Sequence, residues 1–254
     1  MSKSFSERFL TREFEQRSDW RWWTAVLAGA AALFLPMIIA ALIILVFAIS
    51  GASMADFGSG TRPKLTPAAL SMVLIVSQIL TIIFTFGFAR YKTVLWQSKL
   101  YITGLNKLRD AFVPILAIAV LIIFGTVFWE YFFQSTLEND GNSLKELLLS
   151  PNTQFAAIIA AVVGAPVAEE MLFRGFLLPP LAKTRLGFIG AAIITSLCWA
   201  VIHGYSWQGA VEIFFIGLGF SYLLWRTGSI LSSILLHMLF NAVFVGITLF
   251  TATS

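Results

Sequence analysis

Of 254 residues, 58% are hydrophobic and only 12% charged, against roughly 25% charged in an ordinary soluble domain. That composition excludes a soluble fold, and the net charge of +4 follows from where the loops lie, so no nucleic-acid partner is expected. One cysteine, Cys198, excludes an internal disulfide and a cysteine-rich metal site.

Residues 1–23 set Phe5, Phe9, Leu10 and Phe14 at helical spacing among Arg8, Arg12 and Arg17, and lead into Trp20-Arg21-Trp22-Trp23. Aromatic and basic residues together predict an amphipathic helix in the headgroup layer; a solvated arm is the alternative. These charged and aromatic residues are not a cleavable signal segment. Apolar runs at about 24–49, 66–89, 111–133, 153–178, 188–203, 210–225 and 230–250 predict seven membrane helices. Pro36 is a kink position in the first, and Pro179-Pro180 is expected to stop the fourth. A polar link over 134–152 carries Glu138, Asp140 and Glu146. The expected fold is therefore all-α and polytopic, with about seven transmembrane helices plus the N-terminal interfacial helix. With the N-terminus inside, thirteen lysines and arginines fall in inner segments and three (Arg62, Lys64 and Lys145) in outer ones. This asymmetry predicts a cytoplasmic N-terminus and a C-terminus outside.

The chain's polar chemistry is concentrated in its second half. Ala168-Glu169-Glu170-Met171-Leu172-Phe173-Arg174-Gly175 puts three charges into a run that is otherwise apolar from Phe155 to Leu178. Each costs at least ~2.5–3.5 kcal/mol in hydrocarbon, so they must face a polar interior and compensate one another. On a helix Glu170 and Arg174 share a face and can pair. Glu169 is turned about 100° away, and its own i+4 neighbour is Phe173. The chain's two histidines follow: His203, four residues after Trp199, and His237, four residues before Asn241. Lone membrane histidines and asparagines are commonly interhelical glue, and Glu130 and Glu212 read as snorkelling, pairing or lining residues. The co-occurrence of Glu169, His203 and His237 on nearby helices is what points to a site.

In that order, Glu169-Glu170-x-x-x-Arg174, an aromatic-x-x-x-His203 and His237-x-x-x-Asn241 resemble the three motifs of the CPBP family. This group includes the CAAX prenyl proteases and the bacteriocin-processing or immunity enzymes. The resemblance covers about residues 153–245. It divides the chain into the 1–23 arm, membrane helices over 24–152 that vary in such proteins, and a CPBP-like catalytic core over 153–250. One departure is Trp199, where the second motif usually begins with Phe.

The resemblance implies an intramembrane endopeptidase acting on a peptide or membrane-protein substrate within the bilayer. By that analogy Glu169, assisted by His203, polarises a water, while His237 and Asn241 donate to the developing oxyanion. Glu170 and Arg174 form a structural pair, and Trp199 and Phe173 wall the pocket. No cofactor is favoured. Zinc is the alternative, held by Glu169, His203 and His237, although these come from separate helices without a compact His-x-x-x-His. The rival functions are a non-catalytic immunity or scaffold protein of the same fold and a proton-coupled transporter. Against the transporter, no internal repeat is visible. Chain size and the lack of targeting signals suggest a bacterial inner membrane.

Overall fold

The computed structural model describes residues 20–50, 55–56, 64–91, 100–102, 106–133 and 142–253. The helical elements in chain order are α1 (Trp22–Ile49), α2 (Pro67–Tyr91), α3 (Asn106–Phe133) and α4 (Asn142–Leu149). They are followed by α5 (Gln154–Ala182), α6 (Gly187–Ile202), α7 (Trp207–Thr227) and α8 (Ile230–Thr253). The extended backbone among the described residues is one two-residue antiparallel pairing, Ala55 with Leu65 and Asp56 with Lys64. The protein is all-helical and polytopic. Most of the 1–23 arm lies outside the described residues. Its last aromatics do appear: Trp20 sets its ring edge-on against Phe176 at 5.5 Å, and Trp22 opens α1.

Among the described residues, six helices are long and apolar enough to cross a membrane. The fifth expected helix, 188–203, is the 16-residue α6, Gly187–Ile202, shorter than the other six at about 24 Å for 1.5 Å per residue. It stops because His203 caps it and Gly204, at φ +66°, turns the chain through the left-handed region. α7 then starts at Trp207, with Ser206 Oγ accepting from the Gly209 amide at 3.3 Å, an N-cap bond that satisfies one orphan donor.

The 134–152 link is not uniformly polar. It contains α4, which buries Leu147 and Leu148. Thr153 Oγ1 donates to Leu147 O and Gln154 Nε2 to Leu148 O, each at 2.9 Å, so the last carbonyls of α4 are satisfied by the start of α5. Eight residues hold barely two turns, too few for a helical period to stand out.

Proline also fails to end the fourth span. α5 runs through Pro179 and Pro180 to Ala182. It contains two π-helical stretches, Ala160–Gly164 and Glu170–Leu177, and each is followed within two residues by proline: Pro166 after the first, Pro179 and Pro180 after the second. In an α-helix a proline ring collides with the carbonyl four residues earlier. A wider turn relieves the collision, and the prolines then fall in the first turn of a fresh α segment, where no N–H is needed.

Packing follows residue size. α1 turns Ala25, Ala28, Gly29, Ala32, Pro36 and Ala40 inward, a small-residue stripe that permits close helix approach in lipid. α3 leaves Val113 72% and Phe124 69% exposed, a surface suited to acyl chains. Gly228 ends α7 at φ +67°, where an L side chain is strained by about 1–2 kcal/mol. Gly228→Ala is therefore expected to lower thermal stability in detergent by about that amount. Gly87→Ala, with open space around the added methyl, is expected to leave the midpoint unchanged or raise it.

Candidate active site

The site is built outward from a buried arginine. Arg174 and Glu170 have no exposed side-chain surface, and Arg174 NH1 donates to Glu170 Oε1 at 3.0 Å. Arg174 NH2 donates to the Gly217 carbonyl of α7 at 3.0 Å. The guanidinium carbon lies 4.7 Å from the Trp199 ring centroid and 5.6 Å from that of Phe220. A cation is tolerated in such a place only when paired, hydrogen-bonded and stacked. Glycine at 217 is part of the arrangement, since a Cβ there would come within 2.8 Å of Arg174 NH2 and 3.0 Å of Ser196 Cβ.

Glu170 Oε1 also accepts from His237 Nδ1–H at 3.2 Å. This fixes the ring: Nε2 points to Glu169 Oε2 at 3.9 Å, with the imidazole stacked on Phe220 at 4.9 Å. With Nδ1–H committed to Glu170, Nε2 carries a proton only in the imidazolium. Glu169 lies on the wetter side, its side chain 24% exposed against 5% for His237. Its Oε2 accepts the Trp199 indole N–H at 2.6 Å. His203 sits on the end of α6, and its Nδ1–H donates to Trp199 O at 2.7 Å. The neutral His203 ring therefore presents Nε2 as a proton acceptor. Its centroid is 5.0 Å from Trp199 and 5.2 Å from Tyr205.

Asn241 approaches from α8. Its Nδ2 donates to Ala161 O at 2.8 Å. In the π turn of 160–164 the natural donor to that carbonyl, five residues on, would be residue 166. That residue is proline and has no N–H, so the side chain supplies what the backbone lacks. One of the two carboxamide hydrogens is used in this way.

Glu169, Trp199, His203, His237, Asn241 and Phe173 line one cavity of about 650 Å³. Glu170 and Arg174 stand behind it, fully buried. The sequence-derived set thus divides into a wet group and a dry pair. Among the described residues, no group of three His, Cys, Asp or Glu side chains stands out as a metal-ion site.

Sequence reasoning missed several participants. Gln78 and Leu74 of α2 and Leu33 of α1 wall the cavity from the N-terminal half, where no motif marked them. Glu212, read from the sequence as a snorkelling, pairing or lining residue, is buried and lines the same cavity. Phe220 and Gly217 carried no signal of their own, since an aromatic and a glycine are ordinary in a membrane helix.

Residues 151–243 match the family model for type II CAAX prenyl endopeptidase, Rce1-like. Comparison with curated proteins and with solved structures finds no match. The matched segment takes in Glu169, Glu170, Arg174, Trp199, His203, His237 and Asn241 and leaves α1–α4 outside. Gly217→Ala is expected to displace the guanidinium and cost about 1–3 kcal/mol, the usual range for overpacking. The check is a lowered unfolding midpoint in detergent, compared with the Gly87→Ala control.

Proposed function

We propose, from the match of residues 151–243 to the family model for type II CAAX prenyl endopeptidase, Rce1-like, that the protein is a CAAX-type membrane endopeptidase that is glutamate-dependent, with Glu169 as its base. The observation that carries the reading is the pairing of Glu169 Oε2 with His237 Nε2 at 3.9 Å, beside a cavity that His203 and Asn241 also line. The gap is too long for a direct hydrogen bond and suits a small polar group held between the two.

In this mechanism Glu169 takes a proton from water, with His203 Nε2 as a second acceptor that orients it. The resulting hydroxide adds to the scissile carbonyl carbon, and the carbonyl oxygen becomes an oxyanion. His237 Nε2–H, in the imidazolium form, and the remaining Asn241 hydrogen donate to that oxygen. Each such donor is worth ~2.7–4 kcal/mol in soluble proteases. The proton held by Glu169 passes to the leaving nitrogen as the C–N bond breaks. Carboxyl and amine products result, and Glu169 returns to its starting charge. Glu170 and Arg174 take no part in proton transfer; they fix His237 and the α5–α7 contact.

The substrate is a peptide or a membrane-protein segment reaching the cavity within the bilayer. The lysine and arginine distribution supports a cytoplasmic N-terminus, and a bacterial inner membrane is the setting proposed for this chain. Glu169→Gln keeps size and shape and removes the base, so cleavage of a reporter peptide in detergent is expected to fall 10²–10⁴-fold, with the unfolding midpoint held. Wild-type turnover by that variant would exclude Glu169 as the base. Full activity is expected after exhaustive chelation with metal content verified; activity lost on chelation and restored by zinc would replace this mechanism. A wild-type protein that cleaves nothing would favour the immunity or scaffold role.

A further inference from the structure

We infer that Trp199 is a positioning residue for the hydrolytic site: its indole N–H tethers Glu169 and keeps the base from collapsing onto His237. This rests on the hydrolase reading above and deepens it.

Two contacts converge on the indole and a third on the same residue's backbone. Its Nε1–H donates to Glu169 Oε2 at 2.6 Å, short for an N–H donor, and bonds to an ionised oxygen are the shorter and stronger ones. Its face lies 4.7 Å from the Arg174 guanidinium, and a cation there withdraws electron density from the ring and strengthens N–H as a donor. Its backbone carbonyl accepts from His203 Nδ1–H at 2.7 Å. The residue that holds the base thus also orients the second acceptor and shields the buried arginine. At 1% exposure it has no freedom to do otherwise.

The tether has a specific task. Glu169 Oε2 stands 3.9 Å from His237 Nε2, and an imidazolium and a carboxylate at that separation attract one another. Without an opposing bond the carboxylate would swing about one ångström and form a direct ion pair. That pair would consume the base and the oxyanion donor together. The indole N–H holds Oε2 on the other side, and both groups remain available. A phenylalanine, the residue that usually opens this motif, offers a face to Arg174 but no N–H to Glu169. A base held through the indole N–H is therefore a property of this chain's own residue.

The test separates N–H from ring. Trp199→Phe and, by genetic code expansion, replacement of Trp199 with 3-benzothienylalanine, which puts sulfur in place of the indole N–H at nearly constant volume, are compared with the wild type. The benzothienyl protein, nearly equal in volume, should unfold close to the wild-type midpoint, whereas Trp199→Phe also empties part of a fully buried site and should unfold lower. A bond to a charged group is worth enough that kcat should fall on the order of ten- to a hundredfold, while KM moves less than twofold. A merely structural wall would not give that split. Wild-type kcat in the benzothienyl protein, or a loss confined to KM, overturns the tether.

An activity-independent readout accompanies it. With indole-15N tryptophan in detergent micelles, the Trp199 signal is the one of eight tryptophans that disappears in Trp199→Phe. In Glu169→Ala its Nε1–H resonance should move upfield, and an unmoved resonance overturns the tether by itself. If the wild type cleaves no peptide, the hydrolase reading and the tether's kinetic role fall together. The resonance then still decides whether the indole holds the acid.

Discussion

The buried guanidinium of Arg174 is the constraint on which the rest of the site depends. A charge with no exposed surface must be compensated, and here four helices contribute, while Arg174 Nε and Glu170 Oε2 are left without a hydrogen-bond partner among the described residues. α5 gives Glu170, α7 the Gly217 carbonyl and the Phe220 face, α6 the Trp199 face, and α8 closes the circuit through His237 on Glu170 Oε1. Removing one partner of such a buried pair typically costs ~3–5 kcal/mol, because the other charge is stranded. Few contacts in lipid have that strength, since apolar side chains gain little by leaving acyl chains for one another. The arginine therefore fixes the relative placement of helices that greasy packing alone would leave loose.

From that fixed point the two adjacent glutamates acquire opposite environments. Glu170 is enclosed with its counter-charge, whereas Glu169 faces the cavity and answers to the indole of Trp199 and the outer nitrogen of His237. Neighbouring residues on a helix differ by about 100° in direction, and that angle suffices to put one acid in a dry pair and the other at a wet edge. The π turns add to this division. The one at 160–164 leaves the Ala161 carbonyl to be satisfied by Asn241, bringing the α8 side chain to the cavity by way of a backbone defect.

What the sequence disclosed and what it hid follow from the range of the forces involved. The Glu170–Arg174 pair was legible because i,i+4 geometry is local, and the all-helical membrane class because hydropathy sums over many residues. The outcome at Pro179-Pro180 was not legible. A proline stops an α-helix, but a preceding wide turn changes which carbonyl it would strike, and nothing local announces that turn. α4 was hidden by its brevity. The bounds of the helix over 188–203 are legible because its apolar run stops at His203 and Gly204, while the shortfall against a full crossing follows from its 16 residues. The roles of Gly217, Phe220 and Gln78 are set wholly by which distant helix lies opposite, which no spacing along the chain encodes. Trp199 was visible as an aromatic wall, but its N–H acquires meaning only once Glu169 is known to stand 2.6 Å away.

The brevity of α6 reaches into the surrounding lipid. At about 24 Å it is some 6 Å shorter than a typical hydrocarbon layer, while α1, with 28 residues, exceeds that layer. A bilayer meets such a deficit by pinching inward or letting headgroups sink, at fractions of a kcal/mol per ångström. His203 caps the deficient helix, so a dimple at that end would lower the aqueous boundary toward the imidazole. Sterol-rich or long-chain bilayers would resist such a dimple, and host-membrane thickness would then bear on how readily this site is wetted.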